Sequence, residues 1–275
     1  ARVFSLLMSI TMIAPLVGPL VGAVLLTWTD TWRSGFVFVS AFILLVVGAI
    51  VVFVPETLPP DRRHPGGARE LREGAVLMFR DRVFVGYAVT QVFGFATMFA
   101  YLASSSFVFQ EAFGLGPTGY SLVFGGIVLS IILAGFLNRR LLLVWRARRI
   151  LVVSLVIAVL ASLILVALTA MSSPSLGLMI AVLVFIVGTR APVGANTMAL
   201  ALERSAYAGT ASAIVGAMGF GGVLIATPLL AILPFDTGMN MAVAMAICSA
   251  LALLSTVILS RPSALATRLG AARVG

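Results

Sequence analysis

Acidic side chains are scarce in this sequence, and none of them lies well inside a long apolar run. Asp30, Glu56, Asp61, Glu70, Glu73, Asp81, Glu111, Glu203 and Asp236 all fall in the gaps between such runs or at their ends. That argues against enzymes that need paired carboxylates in the membrane for metal–diphosphate or proteolytic chemistry. Histidine occurs once, as His64 among arginines, so a serine–histidine nucleophile pair is implausible and a solvated loop residue is the simpler reading. Cysteine also occurs once, and Cys248 can form no internal disulfide. Lysine is absent altogether; all 18 basic side chains are arginine. There is no metal-ligand spacing, no P-loop and no glycine-rich dinucleotide turn, so no metal or cofactor is expected.

Apolar residues dominate what remains. They make up 61% of the 275 residues, only 10% are charged, and the mean hydropathy is +1.17. Runs of about 20 apolar residues recur from end to end, each long enough to cross about 30 Å of hydrocarbon. We read spans at roughly 3–27, 34–54, 83–109, 119–137, 150–171, 175–200, 207–233 and 239–260. About eight transmembrane helices in an all-α bundle are therefore expected. The net charge of +9 is not a nucleic-acid signal, because the arginines sit between the apolar runs. Arg62, Arg63, Arg69, Arg72, Arg80 and Arg82 fill the second gap, Arg139 to Arg149 the fourth and Arg204 the sixth, whereas the odd-numbered gaps hold Arg33 alone. Arginine excess marks the cytoplasmic side, so both termini and the long second gap are expected there.

The first span contains MIAPLVGPLVGAVLLT at 12–27, with small residues at every fourth position, Ala14, Gly18 and Gly22, beside Pro15 and Pro19. A proline inside a helix costs about 3 kcal/mol in water, but neighbouring helices in a bilayer re-satisfy the freed carbonyl. Small residues four apart form a groove for a close-packed neighbour. A tightly packed transmembrane pair and a bent gating helix both fit. The second gap opens with PETLPPDRR at 55–63 and continues as an amphipathic segment over 68–82, with Leu71, Ala75, Met78 and Phe79 on one face. Such a segment would lie at the membrane surface and connect two bundles.

Two later spans carry polar groups. In the third, Gln91, Thr97, Tyr101 and Ser104–Ser106 are interleaved with Phe93, Phe95, Met98 and Phe99. Adaptable apolar side chains with a few hydrogen-bonding groups suit a greasy ligand cavity, and they also suit plain helix packing. In the sixth, Arg190 falls roughly 15 Å from the cytoplasmic end near Leu200, at 1.5 Å per residue. An arginine near mid-membrane costs at least about 2.5–3.5 kcal/mol. Pro192, Gly188 and Gly194 loosen the helix beside it, and irregular backbone at that depth lines a cavity or protein interior. A functional role competes here with a snorkelling one. The seventh span, from AGTASA at 208–213 through Gly216, Gly219, Gly221 and Gly222, is a second small-residue helix.

MIAPLVGPLVG at 12–22, PETLPPDRR at 55–63, FAYLASSSFVFQ at 99–110, and GANTMALALE at 194–203 with AGTASAIVGAMGF at 208–220 together resemble the Bcr/CflA (bicyclomycin/chloramphenicol resistance) drug:proton antiporters of the major facilitator superfamily. The resemblance implies that the spans correspond to helices five to twelve of twelve. Four N-terminal helices would be missing, and proton carriage would belong to them. It divides the chain into the last two helices of an N-terminal bundle (1–54), a central cytoplasmic loop (55–82), a six-helix C-terminal bundle (83–260) and a cytoplasmic tail (261–275). It also implies an inner-membrane location, small drug-like substrates, protons as coupling ion, and no nucleic-acid partner. Ala14, Pro15, Gly18, Pro19 and Gly22 would then form the antiporter motif, and Gln91, Phe95, Met98, Tyr101, Arg190 and Asn196 would line the substrate cavity. A truncated, transport-incompetent relative is the rival expectation, and a membrane enzyme is disfavoured by the missing acids.

Overall fold

Caps, prolines and paired glycines decide where the helices of this chain stop. The computed structural model describes residues 18, 21–22, 24–53, 68–171, 174–203, 208–234 and 236–260, and every regular element among them is helical. The chain divides into two units, Ala1–Leu71 and Arg72–Gly275.

In the first unit, Asp30 adopts a left-handed backbone (φ 52°) and ends a helical stretch. The main α1 (Arg33–Phe53) follows. Trp32 and Arg33 meet at its start, the guanidinium 4.9 Å from the indole centroid. No residue of α1 is buried, and the helix is apolar on all sides. A helix of that kind belongs in lipid or among other membrane helices, not in water. Most of the span expected at 3–27 lies outside the described residues; Gly18, Val21, Gly22 and residues 24–29 are helical.

The boundary between the units falls within α2 (Ala68–Arg80), an amphipathic helix where the sequence reading expected one. Met78 packs into the bundle while Phe79 stays half exposed. Asp81 separates α2 from α3 (Arg82–Phe107), because its carboxylate accepts the Val83 N–H at 2.8 Å and caps the new helix. The remaining helices are α4 (Pro117–Leu141), α5 (Ala147–Thr169), α6 (Leu176–Gly188), α7 (Arg190–Leu202), α8 (Ala208–Phe220), α9 (Val223–Ile232) and α10 (Thr237–Leu254). Asp236 caps α10 by accepting the Met239 N–H at 2.9 Å. Among the described residues, seven helical stretches of 21 to 31 residues are long and apolar enough to cross a membrane, and their limits follow the expected spans closely.

Two spans expected as single helices are broken. Between α6 and α7 the break falls at Thr189, because Pro192 has no N–H to donate back to the turn containing Gly188. Between α8 and α9 it falls at Gly221–Gly222, where the Gly222 N–H donates to the Gly219 carbonyl at 2.9 Å in a tightened turn.

The hub of the unit is α3, which packs against α7, α8, α9 and α10. Small residues let α10 and the chain just after it approach closely: Ala96 shares a buried cluster with Cys248, and a Cβ on Gly86 would collide with Ser260. Both α3 and α10 end in a π turn, Val108–Ala112 and Ser255–Leu259. The second turn aims Ser255 Oγ at the Gly86 carbonyl (2.7 Å) and brings Thr256 to Thr90 (2.8 Å). Lipid tails are as apolar as leucine, so close packing and such interhelical bonds hold membrane helices together. Beside the small cluster of Ala96, Ala226 and Cys248, the core forms two larger layers. One joins Tyr101, Phe109, Phe124, Leu165, Leu183 and Met245; the other joins Phe84, Tyr87, Leu151, Leu155, Val193 and Ala252.

Candidate functional site

Where the two core layers meet, a narrow cleft opens between α3, α5, α10 and the α6–α7 break. In this conformation it is tight, with an enclosed volume of about 20 Å³. Met98, Ile186 and Met245 wall it on the side of the first layer, and Leu155, Val193 and Ala252 on the other. Its polar residues are Thr97, Thr189, Arg190 and Ser249.

Arg190 is placed there by the helix break. It opens α7, one residue after Thr189, near the midpoint of the stretch Leu176–Leu202. Its guanidinium carbon lies 3.9 Å from the centroid of the Phe95 ring. A cation on an aromatic face is favourable by about 2 kcal/mol or more when water is excluded. Room for the planar head comes from two glycines: a Cβ would stand 3.0 Å from Arg190 Nη1 at Gly194 and 3.6 Å at Gly94. Nη1 is enclosed and has no hydrogen-bond partner among the described residues.

Phe95 is itself fixed by ring contacts with Phe99 (6.0 Å) and Phe220 (5.2 Å). Gly219 permits that arrangement, since a Cβ there would sit 2.7 Å from the Phe95 ring. The hydroxyls of the cleft are spent on backbone. Thr97 Oγ1 donates to the Phe93 carbonyl at 3.0 Å, Thr189 Oγ1 to Ile186 at 2.6 Å and Ser249 Oγ to Met245 at 2.6 Å. Ser249 Oγ also stands 3.5 Å from both Thr97 Oγ1 and Ser162 Oγ, which links α3, α10 and α5.

The sequence-expected residues separate into groups. Gln91, Phe95 and Met98 share one face of α3 at helical spacing; Phe95 carries the guanidinium and Met98 lines the cleft. Gln91 is buried against α8, and its Oε1 has no partner among the described residues. Tyr101 lies fully inside the first core layer, stacked on Phe124 at 5.9 Å. Asn196 is buried outside the cleft lining and is engaged with Asn138 and the Pro192 carbonyl. Gly18 and Gly22 are helical, and a Cβ built on either meets nothing within 4 Å. Ala14, Pro15 and Pro19 lie outside the described residues. Sequence reasoning did not single out Gly94, Thr97–Ser249 or Asn138 as partners, although Gly194, four residues after Arg190, shares its helix face.

The chain is similar to known proteins along most of its length. The family model described as Major Facilitator Superfamily matches residues 1–227. An uncharacterized MFS-type transporter YdgK of Bacillus subtilis (strain 168) is 31% identical over 234 residues, which cover 84% of this chain and 58% of that protein. A bicyclomycin resistance protein homolog of Haemophilus influenzae is 28% identical over 225 residues, covering 82% of this chain and 56% of the relative. The chain thus spans a little over half the length of these relatives. With its apolar helical stretches and that match, this multi-pass membrane protein belongs to the Major Facilitator Superfamily.

Proposed function

We propose that the chain is part of a secondary transporter that exports small amphipathic molecules across the cytoplasmic membrane by alternating access, with protons as the exchanged ion. The observation that carries this reading is Arg190, a cation near mid-span, seated on Phe95 in a cleft between the two core layers. An intramembrane charge is costly and marks a substrate or ion path by default. The bicyclomycin resistance protein homolog supports export of drug-like molecules by its name alone.

In this reading, 1–54 contributes to one bundle, 55–82 is a cytoplasmic connector, 83–260 is the other bundle and 261–275 is a cytoplasmic tail. Ala14, Pro15, Gly18, Pro19 and Gly22 form a groove that lets one bundle rock against its neighbour while keeping the path proton-tight. Arg190 and Met98 face the cargo with Phe95 beneath the guanidinium, and Gln91, Tyr101 and Asn196 shape the bundle around the cavity. The test is drug accumulation in cells lacking their own exporters, with Gly18→Leu beside the natural chain. Export by the natural chain, lost in the variant at equal membrane content, supports the role of the groove; unchanged export rejects it. No export by the natural chain favours the second reading, a transport-incompetent member of the family.

A further inference from the structure

We propose that the cleft at Arg190 selects cargo carrying one oxyanion head, a carboxylate or its equivalent, on an apolar body. The inference rests on the transport reading above and adds the chemistry of what is carried.

The donors and acceptors in the cleft are lopsided. Each of the three lining hydroxyls donates to a backbone carbonyl three or four residues before it, which leaves none an O–H for a ligand. The guanidinium is the opposite case. It carries five N–H groups, and its Nη1 has no acceptor among the described residues. Among the described residues, no acidic side chain lines the cleft. The described acids of this unit stand at helix ends instead: Asp81 and Asp236 as caps, Glu111 in the π turn after α3 and Glu203 after α7.

A buried donor without an acceptor costs about 1–3 kcal/mol, and more when charged. The aromatic face of Phe95 offsets part of that but supplies no lone pair. What the site lacks is therefore an acceptor bearing negative charge, and a planar guanidinium matches a carboxylate with two parallel bonds. The surrounding walls, Met98, Ile186, Val193 and Met245 among them, offer apolar contact only, which suits a greasy body. The depth of Arg190, near the middle of a 27-residue stretch, sets it away from the phosphates of lipid headgroups. A cationic amphipath would meet like charge in a site with no acid to balance it.

The experiment uses the full chain in zwitterionic nanodiscs near neutral pH and two probes, dansyl-leucine and dansyl-leucinamide. They differ in little except the carboxylate. Equilibrium binding, corrected with empty nanodiscs, is expected to favour dansyl-leucine by about tenfold or more. Arg190→Met abolishes that preference, and Arg190→Lys keeps a part of it. If the Met variant is not monodisperse, Arg190→Gln, which keeps donors without the charge, carries the same expectation. Equal binding of the two probes, no binding of dansyl-leucine, or a preference that survives loss of the charge would overturn the proposal. Uptake by proteoliposomes separates it from the transport reading. Carboxylate preference without uptake of either probe sinks transport alone, whereas uptake without preference sinks the oxyanion site alone.

Discussion

Asn196 on α7 donates to the side-chain oxygen of Asn138 on α4 at 2.7 Å, and the same amide nitrogen donates to the Pro192 carbonyl at 2.8 Å. Both residues are almost completely buried. One amide thus ties two helices together and also serves a carbonyl in the turn that opens α7. Asn138 immediately precedes Arg139 and Arg140 at the end of α4, so the tie lies toward the end of the bundle where the basic hairpin turns.

Truncation of either amide should therefore weaken the bundle. Asn196→Ala and Asn138→Ala are each expected to destabilise it, with the double variant less destabilised than the sum. Interhelical hydrogen bonds in membranes average about 0.6 kcal/mol and reach about 1.7, so a coupling near 1 kcal/mol is expected. A double-mutant cycle by SDS-titration unfolding measures it; additive losses would show that the two amides act independently.

Gly219 and Gly222 should respond differently to the same added methyl group. At Gly222 a Cβ would stand 2.5 Å from the Val92 carbonyl oxygen and 2.7 Å from the Ala96 nitrogen, both backbone atoms of α3. Backbone cannot swing aside, and overpacking costs about 1–3 kcal/mol. Gly222→Ala is expected at the upper end of that range by thermal unfolding in detergent. At Gly219 the obstacle is the Phe95 ring, a side chain that yields more readily than backbone even though Phe99 and Phe220 hold it. Gly219→Ala should leave stability closer to the natural chain and shift the affinity for cargo, because it moves the ring beneath Arg190.

Phe95 offers a direct test of that stacking. Phe95→Leu keeps an apolar filling but removes the ring face 3.9 Å from the Arg190 guanidinium carbon. A desolvated cation–π contact is worth about 2 kcal/mol, so a loss of that order is expected in unfolding free energy. Phe95→Tyr should retain most of it. Equal behaviour of the two variants would argue that the ring merely fills space.

Orientation can be read by cysteine labelling, since the native Cys248 is fully buried and should stay silent. Ala112→Cys lies after α3 and Leu143→Cys in the turn after α4, and both positions are exposed. The arginine-rich hairpin around Leu143 is expected inside. A membrane-impermeant maleimide on intact cells should then label Ala112→Cys and spare Leu143→Cys until the cells are opened. The reverse pattern would invert the topology.

Linear order along the chain was enough to define the membrane class, the limits of seven helical stretches and the amphipathic helix α2. Hydropathy works because a backbone in lipid must satisfy its own hydrogen bonds, which leaves long apolar segments little choice but helix. Arg190 also stood out by itself, as the one charge inside an apolar run beside Pro192. Its surroundings did not. That Phe95, Gly94 and Gly194 make its seat, that Asn196 turns to Asn138, and that Tyr101 stacks within the core depend on which faces of α3, α4 and α7 meet. The helical period tells which residues share a face, but not which face finds which neighbour. In a membrane bundle, where almost every face is apolar, that choice rests on small-residue fit and a few interhelical hydrogen bonds, and these exist only once the helices are packed.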